Sequence, residues 1–284
     1  MTTGAALARA LSTREGRLGA LLLIVAALAA LIGPAVLPDP IAQPDVIAQA
    51  NLPPDLGHPF GTDQLSRDVL ARVVTGARVS LGVAVLAVTL SMTLGTLVGM
   101  VAGYWGGALD MILMRLVDGA LAVPRLFLLL LVLAAWEHVP MLALIVLIGA
   151  TGWFGTSRVV RAEVLRLREE LYVRAAIGLG ASRRRVIFRH LLPNALGPVL
   201  VAATLAVGDV ILLEAGLSFL GLGIQPPTPS WGGMILDSRE VLVSAPWTGL
   251  FPGAAIVLTV LAANLLGDAL HEAVNPHTID PHAE

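Results

Sequence analysis

The residues of this chain that could do chemistry are its arginines and a few acids set in apolar surroundings. Arg174, Arg183, Arg184, Arg185 and Arg189 crowd the segment Tyr172–Pro193, YVRAAIGLGASRRRVIFRHLLP, which is too polar to cross a bilayer yet lies between apolar runs. Its apolar spacing is helical on both sides of Gly178 and Gly180. It therefore reads as helix, turn, helix, with Ser182 capping the second helix and Pro193 ending it. A structured basic surface of this kind does recognition rather than bond-making, and it predicts docking to a partner.

Further ionisable groups lie inside apolar stretches. Arg115, Asp118 and Arg125 fall within roughly an 80° wedge of a helix over Met111–Ala135, with Arg125 about 15 Å deeper than Arg115. An arginine near a membrane centre costs at least about 2.5–3.5 kcal/mol, so Arg125 must face protein or water. It is either neutralised structurally or lines a path. Asp209 and Glu214 sit about 140° apart on a second stretch and cannot easily share one partner. Glu214 precedes AGLSFLGLG, a composition suited to a tightly packed or locally broken helix end. Its two readings are a hydrogen-bonding role toward freed backbone amides, or a place on the same path.

Catalytic signatures are missing. No G-x-x-x-x-G-K-[ST], H-E-x-x-H or G-x-S-x-G occurs, and there is no cysteine. His271, His277 and His282, with Asp280, are scattered in a short polar tail and read as solvated. His58 and His138 are single. We expect no enzyme activity, no metal and no cofactor.

The elements that must carry these groups are transmembrane helices. The chain is 56% hydrophobic and only 13% charged, against roughly 25% charged for soluble domains. Mean hydropathy is +0.83. Six stretches approach the roughly 20 apolar residues needed to span a bilayer: Leu18–Leu37, Val79–Gly103, Met111–Ala135, Val139–Ser157, Leu196–Leu222 and Gly249–Leu270. The first has too long an apolar run for a signal peptide and reads as an uncleaved anchor. There is no lysine, and nine of the 18 arginines (158, 161, 166, 168, 174, 183, 184, 185 and 189) fall in one inter-span segment. With Arg9, Arg14 and Arg17 they predict an N-terminus and C-terminus in the cytoplasm.

The chain then divides into an N-terminus (1–17), a first span (18–37), an external loop with an amphipathic helix (38–78), a five-helix core (79–270) that includes the cytoplasmic loop 158–195, and a tail (271–284). In the external loop FGTDQLSRDVLARVVTGARVSL has helical apolar spacing, with Thr62 or Asp63 as its cap, and should lie along the outer interface before the chain turns into span two. Gly95, Gly99 and Gly103 in span two are spaced for close helix packing.

Against this background the loop resembles the EAA loop of bacterial ATP-binding cassette importer permeases, through Ala175–Ala176, Gly180 and Leu192–Pro193. Three further blocks, FGTDQLSRDVLARVVTGARVSL (60–81), LMRLVDGALAVP (113–124) and EAGLSFLGLGIQPPTPSWGGMI (214–235), resemble the dipeptide, oligopeptide and nickel permease family, in its second, C-type subunit. Arg174 departs from the motif's glutamate, His190 from a usual isoleucine and Ser66 from a common glycine. The resemblance implies an all-α membrane protein of six spans, type I importer-like, with a cytoplasmic helix-turn-helix coupling loop. It implies coupling through Tyr172, Arg174, Ala175, Ala176, Gly180, Ala181, Ser182, His190 and Pro193, and a path past Arg125, Asp209 and Glu214. Implied partners are a homologous permease, two ATPase subunits or domains, a solute-binding protein, membrane lipid and a peptide substrate, with no nucleic acid. Localisation would be the inner membrane.

Two rival classes remain. An ion-coupled secondary transporter would use the in-span charges but needs no long structured loop. An assembly protein would explain the loop but not those charges. Nickel or glutathione are rival cargoes, and the lack of a His or Cys cluster within the spans favours peptide.

Overall fold

A computed structural model describes residues 3–136 and 139–274, and among these only an isolated bridge, Thr62 with Asp68, departs from helix and turn. The helices are α1 (Thr3–Ala10), α2 (Arg14–Val36), α3 (Val69–Trp105), α4 (Gly107–Leu121), α5 (Arg125–Leu133), α6 (Met141–Arg168), α7 (Leu171–Gly178), α8 (Arg183–Arg185), α9 (Leu192–Phe219), α10 (Trp231–Ser238) and α11 (Trp247–Val274). A π-helical turn, Val186–Leu191, joins α8 to α9. Five helices are long and apolar enough to cross a membrane, and the bent pair α4–α5 makes a sixth candidate span.

The bundle is built around α3 and α6, which form its largest interface. A Cβ at Gly95 would lie 2.6 Å from Thr156 Cβ, and one at Gly103 would lie 2.9 Å from Val164 Cβ. Only glycine lets these backbones come so close, and the tight packing replaces the hydrophobic drive that lipid cannot supply. On the other side, α9 and α2 flank α11, while α1 covers the end of α11 through Ala10, Ala269 and Ala273. The outward faces of α2 and α11 expose Leu31, Ile32, Val257 and Leu258, as suits lipid contact.

Three expectations are corrected. The third span is not one straight helix: α4 and α5 meet at 78°. Pro124 has no N–H to continue the ladder and becomes the N-cap of α5. Arg115 and Asp118 therefore do not share a helix face with Arg125, and the depth reckoned along a straight helix does not apply. Next, the external loop contains no separate amphipathic helix capped by Thr62 or Asp63. The cap is Asp68, whose side chain accepts from Ala71 N at 2.8 Å, and α3 then runs unbroken for 37 residues. Lastly, Pro193 does not end a helix. Leu192 N donates to Ile187 O in the π turn, shifting the ladder just before the residue that cannot donate, and α9 continues through it. His138, His277, His282 and Asp280 lie outside the described residues.

Candidate functional site: the basic loop and the charges within the spans

Helix α6 projects beyond its apolar part to Arg168, giving the loop a rigid base. The turn after α7 is a Schellman motif: Ala181 N donates to Ala176 O at 3.0 Å and Gly180 N to Ile177 O at 2.9 Å. Gly180 has φ +81°, the left-handed conformation this motif requires at that position. Ser182 caps the next turn, accepting from Arg185 N at 3.4 Å. The expected helix-turn-helix is present, with its second arm continuous with α9.

The loop has two faces. Val173, Val186, Leu191 and Ala195 are buried against Val160, Val164 and Leu167 of α6 and Met100 of α3. Arg168 Nη1 adds a bond to Gly103 O at 3.0 Å. The outer face shows Leu179 at 90% exposure, Leu171 at 84% and Phe188 at 62%, beside Tyr172, Arg174, Ala175 and Arg183–Arg185. Among the described residues Arg174, Arg183, Arg184, Arg185 and Arg189 form no ion pair, whereas Arg166 is held by Glu163 at 2.7 Å and Glu170 at 2.9 Å. Tyr172 leans toward His190, with ring centroids 6.2 Å apart, so the two arms meet. Burial, followed by the Glu170 carboxylate, pushes the Tyr172 phenol above its ordinary range. Large apolar tips next to uncommitted guanidinium groups, on a base fixed to two spans, form a surface built to be covered.

The charges within the spans separate into fixed and free. Asp118 pairs with Arg158, and Asp110 takes Arg161 through two bonds of 2.5 and 2.6 Å, so α4 is strapped to α6. Asp118 is therefore not the partner of Arg125. Instead Arg125 donates from Nε to Thr151 Oγ1 at 3.2 Å and from Nη2 to Ile148 O at 2.5 Å. Glu214 is 1% exposed and is wholly engaged. Its Oε1 accepts from Ser218 at 2.7 Å and its Oε2 from Ser80 at 3.1 Å. Those hydroxyls in turn accept from Ile224 N and Trp231 N, each at 3.3 Å. One carboxylate thus ties α3, α9 and the start of α10 through two serines. Asp209 is exposed on α9 and has no hydrogen bond or ion pair among the described residues.

A fourth group was not read from the sequence as a unit. Asp63 accepts from Arg67 Nε at 2.7 Å and also pairs with Arg72, and both arginines reach Asp237 of α10, at 3.3 and 3.0 Å. Arg67 and Arg72 are each 5% exposed. This cluster, with Trp231 Nε1 donating to Val73 O and Trp247 Nε1 to Thr62 O, both at 3.0 Å, seals the end of the bundle opposite the loop. Its members lie 170 residues apart, and only the spacing of Asp63, Arg67 and Arg72 offered a signal.

A family model described as binding-protein-dependent transport system inner membrane component matches residues 95–280. The dipeptide transport system permease protein of Alkalihalophilus pseudofirmus is 46% identical over 78% of this chain and 73% of its own length. The oligopeptide transport system permease protein of Bacillus subtilis is 40% identical over 80% of this chain and 74% of its own. The dipeptide transport system permease protein of the same organism is 41% identical over 91% of this chain and 80% of its own.

Proposed function

Because the chain belongs to the family of binding-protein-dependent transport system inner membrane components, we propose that it is the membrane-spanning permease subunit of an ATP-binding cassette importer carrying peptides. The observation that carries the coupling part of this reading is the outer face of the loop, apolar and basic at once, mounted on helices continuous with spans α6 and α9. Movement imposed on such a loop passes directly into α9, with which its second arm is continuous. Partner ATPases supply hydrolysis, a homologous permease completes the pathway, and a solute-binding protein delivers peptide at the sealed end. The loop and both termini then lie in the cytoplasm, in keeping with the arginine distribution. Tyr172, Arg174, Ala175, Ala176, Gly180, Ala181, Ser182, His190 and Pro193 belong to the coupling element. Arg125 and Asp209 face the path, and Glu214 holds its wall.

Gly180→Leu tests this. A Cβ-bearing residue is strained at φ +81°, so the turn should open and the outer face lose its shape. In the reconstituted complex, stimulation of ATP hydrolysis by peptide-loaded binding protein should fall at least about tenfold, the equivalent of roughly 1.4 kcal/mol. Stimulation equal to wild type would sink the coupling role.

A further inference from the structure

One face of α11 is open along most of its length. Gly253, Val257, Leu261, Asn264 and Asp268 fall within about an 80° wedge of that helix. Val257 is 64% exposed and Leu261 47%, and Asn264 and Asp268 are exposed as well. Toward the sealed end the face opens into an apolar groove of about 580 Å³, lined by Leu242, Pro246, Leu250, Gly253, Ala254 and Val257. A Cβ at Gly253 would meet nothing within 4 Å, so the groove is room that this chain's own packing does not use.

Lipid does not suit the rest of the face. Asn264 lies within about 5 Å of the middle of α11, and its amide makes no hydrogen bond among the described residues. Hydrocarbon offers an amide no partner, whereas a neighbouring helix can. Asp268, one turn on, has no ion pair among the described residues. The pairing of Gly208 with Asn264, Leu205 with Gly267 and Gly197 with Val274 shows that α9 and α11 run antiparallel. Asp209 follows Gly208 and Asp268 follows Gly267, so each turns about 100° from the helix contact, and in an antiparallel pair both come to the same side. The open face of α11 thus adjoins the side of α9 on which Asp209 is exposed.

We propose that this face of α11 seats a transmembrane helix of the homologous permease subunit, close-packed where it crosses Gly253 and Ala254 and bearing a hydrogen-bonding side chain opposite Asn264. Small residues let helix backbones approach, and an interhelical hydrogen bond then fixes the register. A second copy of this chain fits less well. Copies inserted in the same direction, about a two-fold axis along the membrane normal, would bring their Asp268 carboxylates to one level across the contact. A different chain can answer that acid with a donor or a cation. This rests on the importer reading, in which a homologous permease completes the pathway, and it assigns the surface on which that subunit is met.

The test uses the full complex in lipid nanodiscs, with the homologous permease tagged and the partner chains free of cysteine. Gly253→Leu fills the groove without touching this chain's own atoms. It should lower the homologous permease recovered with this chain at least about tenfold, while the chain's own unfolding midpoint in detergent does not fall. Asn264→Leu should lower recovery about threefold, the worth of one hydrogen bond between helices in lipid. A nitroxide on Leu261→Cys should be shielded from both oxygen and a water-soluble nickel chelate. If Gly253→Leu fails to fold, the nitroxide decides alone. Relaxation by oxygen marks a lipid face and relaxation by the nickel chelate a water-lined one, and either overturns the seat. So does wild-type recovery in Gly253→Leu, or a differently tagged second copy of this chain held through the same face. All of these leave the importer reading intact, whereas wild-type protein that retains no homologous permease removes that reading and the seat together.

Discussion

The Cβ that Gly99 lacks would fall 2.5 Å from the carbonyl oxygen of Ser157, on the facing helix. No side chain fits that gap, because the obstacle is backbone and cannot rotate away. Gly99→Val should therefore force α3 and α6 apart, at a cost of about 1–3 kcal/mol or more, as for overpacking elsewhere. Thermal unfolding in detergent should show a lower midpoint and a reduced yield of folded protein. Gly82→Ala is the control: its Cβ meets nothing within 4 Å, and the midpoint should not fall.

Ser66 adopts φ +58°, and its buried hydroxyl has no hydrogen-bond partner among the described residues. The left-handed conformation costs a side-chain-bearing residue about 1–2 kcal/mol, which glycine avoids. Ser66→Gly should raise the unfolding midpoint in detergent.

Asp63 and Asp237 hold Arg67 and Arg72 together at the sealed end. Asp63→Ala removes the carboxylate that both arginines share and should destabilise by about 3–5 kcal/mol, the penalty for stranding a buried charge. Trp231 fluorescence during denaturation should report the loosening of α10 from α3 first.

Glu214 accepts from two serines that support backbone amides of Ile224 and Trp231. Glu214→Ala leaves both hydroxyls without their acceptor and should cost about 2–4 kcal/mol, while Glu214→Gln keeps one amide oxygen and should lose about half as much. Yield of the assembled complex by size-exclusion chromatography should rank wild type, Gln, Ala.

Orientation can be read by labelling, since the chain has no cysteine. Leu56 is 104% exposed and Leu179 is 90% exposed, so a single cysteine at either is open to reagent. In intact cells made permeable only at the outer membrane, an impermeant maleimide should label Leu56→Cys and spare Leu179→Cys. The opposite pattern would invert the proposed topology.

The apolar runs were enough to locate the spans, because a bilayer demands length and hydropathy that few other settings do. Glycine spacing on α3 and the Gly180 turn were likewise readable, since each follows from backbone geometry within a few residues. The loop's two faces could be guessed only in outline, because burial of Val173 and Val186 depends on where α3 and α6 end. Proline misled twice. Pro124 and Pro193 both lack an N–H, yet one breaks a span at 78° while the other is bypassed by a π turn. Local sequence states the defect, and packing chooses how it is absorbed.

Pairing across the bundle was beyond the sequence. By itself the chain determined that charged groups within the spans could not face lipid, because desolvation forbids it wherever the helix sits. Only tertiary structure decided which acid meets which base. Asp118 goes to Arg158 rather than Arg125, Glu214 to Ser80 134 residues away, and Asp237 to Arg67 and Arg72 across the bundle. Such partners are set by helix register and rotation, which come from hundreds of small contacts summed over whole interfaces rather than from any residue's own neighbours in the chain.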